Sequence, residues 1–159
     1  MFLDEKIDGL KKEFSSADFK VPFTDGSNIL KSIETEFITS KDLTKDLNNL
    51  RHHFNNWADN IKYKIEVKSV DLNNYETWLD KLDLNTNYWV VIANGNSPSL
   101  KHLVYDSKPN ALIALFSITQ DDFFVVEKKY KWFSYFQVNR QTNKATIFRS
   151  GEKMTPFEI

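Results

Sequence analysis

The spacing of apolar residues changes at Ile61, and that change constrains the fold more than any other feature of the chain. Before it, Leu43, Leu47, Leu50, Phe54, Trp57 and Ile61 alternate steps of four and three, which is one apolar stripe along a helix with Ser40 at its N-cap. From Ile61 onward, Ile61, Tyr63, Ile65 and Val67 alternate with Lys62, Lys64, Glu66 and Lys68, the pattern of a half-exposed strand. The residues before this switch read as two further helices. One carries Phe2, Leu3, Ile7, Leu10 and Phe14; the other starts near Ser27 and carries Ile29, Leu30, Ile33 and Phe37. Ser15 to Ser27, with Pro22 and Gly26, reads as a loop.

Strand patterns dominate the rest of the chain. A short helix with Tyr75, Trp78, Leu79 and Leu82 precedes the apolar run Tyr88 to Ala93, which Asn94-Gly95 ends. Leu100 to Tyr105 is the next strand, and Pro109 opens a helix through Ala111, Leu112, Leu115 and Phe116. Phe123 to Val126 reads as a buried strand. Phe133 to Val138 and Ala145 to Phe148 form a hairpin around residues 139–143. Helices clustered at one end and consecutive late strands define an α+β fold: N-terminal helices packed on a mainly antiparallel sheet of about five or six strands. The 159 residues form one expected domain, with 1–60 mainly helical, 61–150 holding the sheet and two helices, and 151–159 a tail.

Composition removes several functions. The longest mostly apolar run, Ala111 to Ile118, is far below the ~20 residues that cross a bilayer, and Met1 to Phe14 lacks the apolar core of a secretory signal. No membrane association is expected, and the compartment is expected to be cytoplasmic. Cysteine is absent, so no disulfide, thiolate nucleophile or Cys–metal site exists. The 21 basic and 22 acidic residues nearly cancel, whereas double-stranded DNA is bound mainly through basic excess. The four glycines are scattered, so no phosphate-cradling loop is present and no cofactor is expected.

Catalytic patterns are equally thin. His52 and His53 are adjacent on a helix and point about 100° apart, so they do not share a metal. No G-x-S-x-G elbow occurs, and Asp121-Asp122 is explained by turn chemistry. An enzyme reading has to assemble a dispersed site around His102, Tyr105 and Asp106. The main compositional anomaly is Glu127 to Phe136, where lysines interleave with aromatics. Alternate aromatics that fill the core beside lysines that keep an edge strand soluble account for this pattern, and so does a protein interface, where aromatic and Arg anchors dominate; Lys128, Lys129, Tyr130, Trp132, Tyr135 and Arg140 are the candidate residues of such an interface. The same 128–149 hairpin, with stacking rings and cations, suits weak single-stranded nucleic-acid binding as an alternative. A polar loop at Asn94, Gly95 and Asn96 is a second candidate position.

Between Tyr75 and Gly151, a helix tryptophan (Trp78) precedes a strand, and Val104-Tyr105-Asp106 forms the strand before the next helix. Phe123 to Val126 then runs into the turn Lys129-Tyr130-Lys131-Trp132. This layout resembles small bacterial domains of unknown function, and it is similar to the immunity proteins of bacterial toxin systems, the SUKH superfamily among them. The resemblance implies a non-catalytic cytoplasmic protein with a protein partner, and it carries no site residues across. Oligomeric state stays open.

Overall fold

A computed structural model of the chain describes residues 3–22, 26–39, 50–74, 82–93, 103–119 and 121–151. Helix α1 (Leu3–Glu13) leads into a two-residue strand, β1 (Phe19–Lys20), and then α2 (Ser27–Phe37) and α3 (Leu50–Asp59) come in turn. Strands β2 (Ile65–Asp71), β3 (Tyr88–Ile92) and β4 (Val104–Ser107) precede α4 (Pro109–Thr119). The chain continues through β5 (Phe123–Val126), β6 (Trp132–Asn139) and β7 (Lys144–Gly151).

The strands join in one sheet of order β1-β4-β3-β5-β6-β7-β2, and every neighbouring pair is antiparallel. The α+β class stands. The sheet has seven strands among the described residues, more than the five or six expected, because β1 lies inside the stretch that reads as a loop. The expected helix around Tyr75 to Trp78, the Asn94-Gly95-Asn96 loop, His102 and the tail from residue 152 lie outside the described residues.

Helices cover the sheet on both faces. Ile7 and Leu10 of α1 and Ala111, Leu112, Leu115 and Phe116 of α4 pack on Val90, Phe123, Val125 and Phe136. On the other face, Ile29, Leu30, Ile33 and Phe37 of α2 and Phe54 and Trp57 of α3 pack on Val91, Phe124, Phe133 and Tyr135. With no solvent-facing side available, β3 and β5 need apolar residues in both alternating sets, which is why they read as continuous apolar runs. On the α2/α3 face, the Trp57 indole Nε1 donates to a Glu34 carboxylate oxygen at 2.6 Å, and both residues are almost fully buried.

The start of β2 departs from the expected alternation. Ile61 forms a bridge with Ile38, residues 62 and 63 make a turn, and Tyr63 takes a left-handed conformation at φ 50°. Of the supposed buried set, Ile61 is buried whereas Tyr63 is 89% and Ile65 46% exposed. A β-bulge between Glu66 and Lys68 then resets the register, so Val70 and Leu72 reach the core. At the far end of β7, Gly151 (φ 127°) lies so close to β6 that a Cβ would meet the Lys131 carbonyl and sit 2.6 Å from Trp132 Cα.

These contacts set two expectations for stability. Trp57→Phe keeps the aromatic packing but strips a buried carboxylate of its indole donor, so it should cost about 2 kcal/mol in urea denaturation. Gly151→Ala should cost about 1–3 kcal/mol through backbone strain and the clash with β6. A midpoint unchanged from wild type in either variant would show that the contact carries no stability.

Candidate functional site

The six interface candidates separate into three places. Trp132 and Tyr135 are corrected from surface to core, at 7% and 3% exposure. Alternation sends them to opposite faces: Trp132 packs against Tyr88 with ring centroids 5.6 Å apart, and Tyr135 stacks on Phe124 at 4.8 Å. All residues from Trp132 to Phe136 are buried, so this strand offers no stacking platform to a nucleic acid.

Lys128, Lys129 and Tyr130 stay at the surface, in the turn between β5 and β6. Glu127 organises that turn. One of its carboxylate oxygens accepts the backbone N–H groups of Lys129 and Lys131, each at 3.1 Å, and its carbonyl accepts the Tyr130 N–H at 2.8 Å. Tyr130 is held at φ 57° with its ring half-buried against the α2/α3 face. Lys129 and Lys131 are exposed.

Lys128 turns back over the sheet. Its ammonium lies 4.4 Å from the Trp89 ring centroid and 2.7 Å from an Asp106 carboxylate oxygen. Cross-strand pairing sets Lys20, Asp106 and Trp89 side by side across β1, β4 and β3, and Lys20 Nζ reaches Asp106 at 3.9 Å. The Asn87 amide donates to the other Asp106 oxygen at 2.7 Å and to the Ala17 carbonyl at 2.9 Å. A carboxylate this buried needs such donors to offset its desolvation. Beside it, Lys108 pairs with Asp18 at 2.7 Å and holds that carboxyl below its ordinary range. The result is a rigid face of lysines around Trp89 and Tyr130.

Arg140 sits elsewhere. The eight residues of β6 separate it from the Lys128 turn by roughly 25 Å, and its guanidinium pairs with Asp121 at 2.9 Å. Of the dispersed catalytic candidates, His102 lies outside the described residues, and Tyr105 and Asp106 do not face one another. Tyr105 is fully buried against Phe19 on the α1/α4 face, whereas Asp106, one residue on, projects to the other face. Among the described residues, no group of three or more His, Asp or Glu side chains is placed to hold a metal, and no helix is long and apolar enough to cross a membrane.

Lys20, Asn87 and Trp89 carry no signal that sequence reasoning could single out. Trp89 sits within an apolar run and Lys20 within an apparent loop, so only the strand register reveals that they meet at Asp106. Comparison with protein-family models, with curated proteins and with solved structures finds no match for the chain.

Burial raises the phenols of Tyr135, Tyr88 and Tyr130 above the ordinary value of 10.0, and for Tyr135 the nearby Asp122 carboxylate, which accepts its hydroxyl at 2.8 Å, adds to the effect. In the unfolded chain these groups ionise near 10.0; in the folded protein they resist. Their contribution is therefore complete below that pH and is lost as pH rises through and above it. Unfolding free energy should fall above pH 10, by up to about 1.4 kcal/mol per pH unit for each such group. Tyr135→Phe should fall less steeply; a slope identical to wild type would remove Tyr135 from the account.

Proposed function

We propose that the chain is a non-catalytic protein-binding module of the bacterial cytoplasm, acting as an immunity-type inhibitor does, by covering a surface of another protein. The observation that carries this reading is the turn Glu127–Lys131, which is closed by its own Glu127 side chain before any partner arrives. A surface already ordered loses little conformational freedom on binding, and aromatic anchors rimmed by charge are what tight interfaces use. Trp89 and Tyr130 would be the anchors; Lys20, Lys128, Lys129 and Lys131 would form a cationic rim suited to an acidic protein surface. Trp132 and Tyr135 are buried in the core and are not part of this surface.

The test is a pull-down with tagged protein from lysate of the native host, treated with nuclease, at low and high salt. The wild type should retain a stoichiometric protein, and Lys129→Glu/Lys131→Glu should retain it at least about tenfold more weakly, with an unchanged circular dichroism spectrum. Equal capture by both forms, or capture that nuclease abolishes, contradicts the proposal.

A further inference from the structure

At the opposite end of β6 from the lysine face, Leu72, Phe116 and Val138 form the apolar part of the lining of a cavity of about 200 Å³, and Asn73, Ser117, Asn143 and Arg140 form its polar part. We infer that this cavity is a binding site for a small amphipathic carboxylate, an acid with a compact apolar body of about one ring. The cavity opens to solvent and is lined by polar as well as apolar groups, and its volume has room for one ring with a carboxyl group attached. Among the described residues that line it, Arg140 carries the charge, and a guanidinium matches a carboxylate in a two-bonded fork.

The polar part of the lining is pre-organised. Asn139 closes the β6–β7 turn by accepting the N–H groups of Gln141 and Thr142 at 3.0 and 3.3 Å, and Asn143 is left-handed at φ 54°. The Asn143 carbonyl accepts the Leu72 N–H at 2.9 Å, and Asp71 caps the next turn through the Asn73 N–H at 2.9 Å. The N–H of Val138, another lining residue, is tied to Asp122 at 2.8 Å. The Arg140–Asp121 pair is solvent-exposed, and such pairs exchange readily, so an incoming carboxylate can compete with Asp121 for the guanidinium. Asp121 thus sets how tightly the site binds.

Methyl-detected NMR on the full chain tests this, with benzoate as the probe and benzyl alcohol as its uncharged counterpart. Benzoate should shift the Leu72 and Val138 methyl signals with a dissociation constant of about millimolar order. Arg140→Gln should weaken binding about tenfold, and Asp121→Asn should tighten it about threefold. These two shifts run in opposite directions, which general loss of structure would not produce. No shift up to about 20 mM benzoate, equal binding by Arg140→Gln and wild type, or benzyl alcohol binding as well as benzoate overturns the inference.

Discussion

Helices lie on both faces of the sheet, so a side chain on β5, on the first half of β6 or on β3 apart from the half-buried Trp89 is inside the molecule whichever way it points. This double cover decides where contact with anything else can occur. The faces of the central strands are largely taken, which leaves strand ends and sheet edges. The edges are poor templates for further strands: β1 is two residues long, and β2 carries Glu66, Lys68 and Asp71 along with a bulge. The ends of the strands are what remains, and both candidate surfaces lie there, one at each end of β6.

Polar groups inside such a fold have to be matched, and three carboxylates show how. Glu34 takes the Trp57 indole N–H between α2 and α3. Asp106 takes Lys128 and Asn87 across three segments far apart in sequence. Asp122 takes the Tyr135 hydroxyl and the Val138 N–H, tying the start of β5 to β6. A buried pair of this kind adds little net energy over an apolar replacement, yet removing one partner leaves a costly unmatched group. These acids therefore act chiefly as geometric pins, each joining segments that hydrophobic contact alone would allow to slide.

The fold class and most strands were legible because periodicity reports burial directly. The β6–β7 hairpin and the α4 start at Pro109 are instances. The candidate site was legible only in part, and for one physical reason. Alternating aromatics on a strand look the same whether one face meets solvent or both meet helices, so Trp132 and Tyr135 could not be assigned without the second helix layer. The opening of β2 misled for a related reason: Ile61, Tyr63 and Ile65 keep period two through a turn, which periodicity does not register. Contacts such as Lys20 with Asp106, 86 positions apart, depend on register and leave no local trace.

Glycine is scarce in this chain, and the turns achieve their shape by other means. Among the described residues, Tyr63, Tyr130 and Asn143 adopt left-handed backbone without being glycine, at a cost of about 1–2 kcal/mol each. Strain of that size persists only where surrounding contacts over-determine it. Glu127 supplies them at Tyr130, and the Leu72 N–H bond to the Asn143 carbonyl supplies one at Asn143. Tyr130 lies in the proposed protein-binding turn, and Asn143 lines the proposed carboxylate cavity. Two of the three strained residues therefore sit at the two surfaces the double-covered sheet leaves open, in shapes fixed in advance of any ligand.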